Sequence, residues 1–575
     1  MNNLKKSSAR KWVLGLLAGV SSIAVFASCA PAFAAADAET KAEIRALKEQ
    51  LKRLEQRLES QAQSQRQTER KVERVEQATV EAPRPGGPLR LVSKDGAPWP
   101  TAFYYKAVTI TPGGFFEFAS DYHSRFMGTD IATPFQNIPY NNNVASYGTE
   151  YRFSVRRSRF TMQTDADLDD VTHVKMYLAT DFLGAGQTAN LNQSDSFNFR
   201  FRELYAQVDR SDFGGFHVMA GQAYSLIGMN SQGTLANTFI TPPVIDDQYM
   251  PGFTWARQAG FRVSKDIGPE FQVAFSAESS ATTYILPASD VNGHVAPCLA
   301  NASLSISGTG GIAGSACSGG TLPGAFNVGP VGGSLYNALN EVTTNRMPDL
   351  IGKAAWDPTF LDRHIHVEVG GMLRDFTDQV YWGQHSVWGG TLEAGLIVPI
   401  IPKWLDFQFS GVSGNGNGRY GAAQISDATF SPTGSVQPIH ERQVMVGLTA
   451  HVTPQTDVYV FAGGEFASSN YSFVKFAGTP FIAAGLYSYG YGNPAYNNIG
   501  CNFEGPPALT CVGNIKDVRQ ITSGIWHNFY DGPAGKVRVG AQYSYTVKDS
   551  FNGVGGAYKA TESMIFTSLR YYPFN

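Results

Sequence analysis

Beyond its first 34 residues the chain has no run of about 18 apolar residues, so the remainder contains no helix long and apolar enough to cross a bilayer. Charge is scarce as well: 16% of residues are Asp, Glu, Lys or Arg, against about 25% in an ordinary soluble domain. The net charge of -3 leaves no dominant basic stripe, which argues against nucleic acid as a partner. G-x-S-x-G, H-E-x-x-H and P-loop patterns are missing, so no enzyme is indicated and no cofactor is expected. What is abundant instead is Gly (60), Phe (37) and Tyr (26), the material of strands, turns and aromatic girdles. A mean hydropathy of -0.17 suits a wall whose apolar and polar faces cancel in any average.

The N-terminus reads as a secretory leader, residues 1–34. Lys5, Lys6, Arg10 and Lys11 form the basic region, Trp12–Ala27 the apolar stretch, and Ala32-Phe33-Ala34 a small-x-small cleavage site. Phe26-Ala27-Ser28-Cys29 is a competing lipoprotein box that lacks the usual Leu. Four cysteines follow, in two local pairs: Cys298 with Cys317 and Cys501 with Cys511. In an exported chain such pairs imply disulfides, each worth roughly 3 kcal/mol through the unfolded state, and their spacing lacks the close C-x-x-C of a zinc site.

Residues 35–80 change character, with one heptad register running through them. Ile44, Leu51, Leu58 and Val72 fall at position a and Leu47, Leu54 and Val75 at position d, interrupted by Gln61, Gln65 and Thr68. A periplasmic coiled coil that self-associates is the expectation, because a lone solvated helix of this polarity is marginal. Pro83, Pro85 and Pro88 make residues 81–88 a helix-breaking spacer.

From residue 89 to 575 the period becomes two. Phe271–Glu278 alternates apolar with small or polar residues, and Lys536–Tyr545 sets Val, Ala and Tyr against Lys, Arg and Gln. A water-soluble sandwich alternates too, but export, strand number and the aromatic end Tyr571, Tyr572 and Phe574 favour an all-β transmembrane antiparallel barrel in the outer membrane of a Gram-negative bacterium. About 16 strands of roughly 11 residues fit the length, and 18 fit equally. Thr453–Asp457 and Pro399–Trp404 are short enough for periplasmic turns, leaving Gly/Ser/Asn-rich stretches near 286–345 and 411–440 for the outside or the lumen.

Five segments in series, Arg152–Asp165, Lys175–Gly184 with an Asp-Phe turn, Phe199–Val208, Val218–Gly228 and Arg257–Val263, resemble the DcaP-like trimeric porins, relatives of the phosphate-selective porins O and P. The resemblance, which includes a heptad helix ahead of the barrel, implies a homotrimer joined by a three-helix coiled coil. It also implies passive uptake of small polar or anionic solutes, dicarboxylate or phosphate-like. The Cys-bearing insertions are not part of that pattern.

The candidate selectivity residues are Arg152, Arg156, Arg157, Arg159, Lys175, Arg200, Arg202, Arg257, Arg262 and Arg374. A charge facing lipid at mid-bilayer costs about 2 to 4 kcal/mol, so most must face the lumen, where they attract anions over roughly 8 Å. The plainer alternative pairs them with Asp165, Asp167, Asp181 and Glu203 as wall braces. Alternation slips by one residue near Arg157 and Glu203, which leaves open which side chains point inward. His364, His366 and Glu368 are spaced to hold a metal, but a polar lumen face explains them as well, and no metal is expected. Competing functions are a barrel enzyme, for which no rim Ser/His/acid set stands out, and a structural tether that reaches the periplasm with its coiled coil.

Overall fold

The computed structural model describes residues 102–574 except 142, 185–197, 286–344, 362, 381–382, 432–434, 477–484 and 503–510. The leader, the heptad segment, the spacer and the Cys298–Cys317 pair lie outside the described residues.

Sixteen antiparallel strands close on themselves. They are β1 (Val108–His123), β2 (Glu150–Ser154 continued by Arg159–Asp169), β3 (Thr172–Gly184), β4 (Asn198–Arg210), β5 (Phe216–Tyr224), β6 (Arg257–Ile267), β7 (Phe271–Glu278) and β8 (Asp349–Trp356). The circuit continues through β9 (His366–Val380), β10 (Gly383–Ile401), β11 (Leu405–Asn415), β12 (His440–Thr453), β13 (Thr456–Ala467), β14 (Ile515–Gly532), β15 (Gly535–Ser550) and β16 (Lys559–Tyr572). Each strand pairs with the next, and β16 returns to β1 from Phe116 opposite Tyr571 to His123 opposite Met564. Of the two expected counts, sixteen is the one found.

Closure leaves the wall no unpaired edge, and the alternation then sorts side chains by solvent. On β7, Phe271, Val273 and Phe275 point outward and are exposed, while Ala274, Ser276 and Glu278 are buried inside. On β15, Tyr543 and Tyr545 face out and Gln542, Ser544 and Lys548 face in. This inverts a soluble protein, with Leu, Ile and Phe displayed and Arg, Asp and Glu enclosed.

One end of the barrel carries tight turns, among them Thr453–Thr456 between β12 and β13 and Ile401–Leu405 between β10 and β11. The opposite end carries the longer connections. The expected turn at Asp181–Phe182 is corrected: both residues stay within β3, with Asp181 opposite Arg200, because a carboxylate that takes two guanidiniums belongs on the wet face. The described residues of three loop-end connections, 124–149, 225–256 and 416–439, fold into the lumen and share an apolar cluster that includes Phe135, Ile138, Ile245, Met250, Phe253 and Ile425.

Candidate functional site

The slips in alternation prove to be two one-residue bulges, and each gathers charge inward. On β2, Ser154 pairs with Ala119 and Arg159 with Phe115, so five steps of β2 oppose four of β1. Above that break Tyr151 and Phe153 face out, and below it Phe160 does, which leaves Arg157 and Arg159 on the lumen side. On β4, Ala179 of β3 pairs with Glu203 and the next residue, Thr180, with Phe201, so Arg202 is the extra residue. Phe201 and Leu204 are exposed on the outside, while Arg202 and Glu203 are both buried within.

Segment 225–256, between β5 and β6, crosses the space these arginines face. The wall holds it through its backbone. Glu278 accepts from Leu226 N at 2.9 Å, Glu368 from Asn230 N at 3.1 Å and Glu465 from Gly252 N at 3.0 Å, while Trp526 Nε1 donates to Pro243 O at 2.8 Å. Such bonds satisfy a loop that lies in the lumen away from bulk water. Gly252 has a φ of +86°, and a Cβ there would stand 2.0 Å from Val444 O, so only glycine allows the loop to approach β12 this closely.

Arg157 is buried against this segment, bonded to Ile245 O and Asp247, with Asp246 Oδ1 at 3.7 Å. Burial pushes the Asp246 carboxyl above its ordinary range, although Arg157 and the Thr133 hydroxyl at 2.8 Å pull the other way. Arg200 Nε and Arg202 Nη1 share Asp181 at 2.6 and 2.7 Å, and Arg202 Nη2 also donates to Tyr224 OH at 2.7 Å. Arg262 donates to Thr234 O and Tyr224 O, and Arg374 sits between Asp349 at 3.2 Å and Asp427 at 3.1 Å.

Two arginines differ. Arg159 lies over the Phe115 ring at 5.3 Å, and Arg257 over Tyr224 at 5.5 Å and Trp255 at 5.3 Å. Neither makes an ion pair among the described residues; Arg262 shares that lack, but backbone carbonyls hold its guanidinium, whereas Arg159 and Arg257 have rings in their place. Aromatic faces hold a guanidinium without neutralising it.

The remaining candidates sit apart from this group. Arg152 pairs with Glu150 at 3.1 Å and Arg156 with Asp130, both toward the loop end, and Lys175 lies opposite Asp165 and Gln207 in the ladder. Asp165 and Asp167 bond His173 rather than an arginine. His364 belongs to a two-residue strand, Arg363–His364, outside the wall. His366 is buried between Asp357 at 2.7 Å and Glu368 at 3.1 Å. No metal-holding group of His, Cys, Asp and Glu occurs among the described residues.

Sequence reasoning left out Arg538, Arg570 and Arg419. Arg538 and Arg570 face each other across β15 and β16, with both guanidiniums over Trp526, at 4.6 and 4.7 Å, and carboxylates on Asp457 and Glu117. The alternation of Lys536–Tyr545 already placed Arg538 inward. Arg419 lies in a lumen loop with no periodic signal.

A closed sixteen-strand barrel of alternating faces, narrowed by an inward loop and lined by arginine, has the architecture of a porin-type channel. Among solved structures its fold is that of the outer-membrane channel DcaP of Acinetobacter baumannii, at a TM-score of 0.53 and 14% identity, covering 82% of this chain and 99% of that one. An anion-selective porin from Comamonas acidovorans (TM-score 0.41, 10% identity, 81% and 99% covered) and OprB of Pseudomonas putida (TM-score 0.39, 11% identity, 80% and 94% covered) are looser likenesses that add nothing to the fold assignment. No family model and no curated protein matches the sequence.

Proposed function

We propose that this chain is an outer-membrane porin through which small hydrophilic solutes diffuse passively, anions preferentially, dicarboxylates and phosphate-like ions being the class expected. The observation that carries the anion preference is the pair Arg159 and Arg257, cations held on aromatic rings with no ion pair among the described residues. Their charge is met only by the longer-range pull of Glu203 and so stays open to a passing solute, whereas that of Arg374 is answered by carboxylates in contact. The outer membrane of a Gram-negative bacterium is the setting this reading requires, with the heptad segment as a periplasmic trimerisation helix.

A structural tether is the second reading, and it draws on the apolar cluster of the three inward loops. Liposome swelling separates the two. Vesicles carrying the protein are expected to swell in a dicarboxylate salt faster than in the salt of an organic cation of equal size. Swelling in neither would favour the tether, and faster entry of the cation would defeat the anion preference.

A further inference from the structure

We propose that three histidines at the turn-side mouth, each clamped between two carboxylates, form a proton-set charge ring that tunes the ion preference of the channel, an inference that rests on the porin reading above. His173 on β3 meets Asp167 through Nδ1 at 2.8 Å and Asp165 through Nε2 at 3.3 Å. His217 on β5 meets Asp209 at 2.6 Å and Asp266 at 3.3 Å through the same two atoms, and His451 on β12 meets Asp457 at 2.8 Å and Asp406 at 3.2 Å. The first two triads flank β4 and the third lies on the opposite side of the sixteen-strand circuit. A cleft of about 670 Å³ runs between the first two, lined by Asp167, Asp170, His173, Asp209, His217 and Asp266.

The hydrogen-bond inventory ties these contacts to the charge on the ring. A neutral imidazole offers one N–H and one lone pair, and an ionised carboxylate only accepts. With both carboxylates ionised, both contacts of each histidine are made together by the imidazolium alone. Loss of the proton turns one of them into lone pair against lone pair and adds one negative charge per triad.

The surrounding charges do not cancel this change. His173 is faced by Asp165 and Asp167 from β2 and Asp209 from β4, with Lys175 two residues along its own strand and Asp169 and Arg210 at the cleft. His217 is faced by Asp209 from β4 and Asp266 from β6. His451 is faced by Asp406 from β11 and Asp457 from β13, behind which Arg538 of β15 stands at 2.8 Å from Asp457. These histidines reach water, with side chains 36%, 15% and 38% exposed. His366, similarly clamped but 1% exposed beside Lys353 and Glu393, belongs to the wall.

The test is the zero-current potential of the reconstituted full-length mature protein across a KCl gradient from pH 5.5 to 9, alongside a His173→Gln, His217→Gln, His451→Gln variant. The wild-type ratio of chloride to potassium permeability is expected to fall roughly threefold as pH rises, while the variant stays flat. A flat wild type, or an undiminished fall in the variant, overturns the ring. Nitrogen-15 histidine spectra in detergent micelles, assigned with the single variants, give an answer that needs no current. Imidazolium at all three positions at pH 7 supports the ring, and neutral imidazole overturns it. A channel that prefers cations at every pH yet shifts in the stated direction retains the ring and defeats the anion reading.

Discussion

Two arcs of one lumen wall hold inward-facing arginine and treat it in opposite ways. On the β8–β9 arc Arg374 is closed in by Asp349 and Asp427 and stacked over Phe376 and Tyr420. On the β2–β6 arc Arg159 and Arg257 rest on aromatic rings and make no ion pair among the described residues, the buried Glu203 acting on both only from farther off. Nine of the ten candidate cations lie along β2–β6 and Arg374 alone on β8–β9, so basicity by itself does not mark a brace. What differs is where the acids fall, and this separates a brace from a charge available to solute.

The largest effect is expected where the brace is broken. Arg374→Ala leaves Asp427 buried without its cation and Asp349 with Arg419 alone, at 3.1 Å, so folding stability should drop by about 3 to 5 kcal/mol, read as the denaturant midpoint of the barrel in detergent. A midpoint unchanged by that substitution would erase the distinction between the arcs. Opening the disulfide with Cys501→Ser and Cys511→Ser should cost roughly 2 to 3 kcal/mol, since it releases a closure of sequence separation 10. Gly252→Ala forces a Cβ onto Val444 O and should cost about 1 to 3 kcal/mol; single-channel recording should show larger or noisier steps as segment 225–256 leaves its seat. Glu465→Gln keeps an acceptor for Gly252 N and Ala423 N and should change the midpoint by no more than about 1 kcal/mol.

The closed barrel was legible because alternation in Phe271–Glu278 and Lys536–Tyr545 reports the wall directly. The turns at Pro399–Trp404 and Thr453–Asp457 were legible from their brevity. Strand number was not fixed, because strand-like residues such as the hairpin of Asn470–Phe476 with Gly485–Tyr491 build structure outside the wall. The inward segment 225–256 gave no sign of itself: it has no period, and its partners Glu278, Glu465, Trp526 and Gln542 come from strands spread over the whole chain. The slips near Arg157 and Glu203 were visible but ambiguous, since the same loss of alternation fits a strand end, and only the register shows that each bulge turns one more arginine toward the lumen.

The most direct measurement is the zero-current potential of single channels in a planar bilayer under a KCl gradient, wild type against Arg159→Gln with Arg257→Gln. An anion-signed potential that moves toward zero in the variant, with the folding midpoint kept within about 1 kcal/mol, is the expected result. A cation-signed wild type, or a variant that keeps the full anion preference, would contradict the role given to those two guanidiniums.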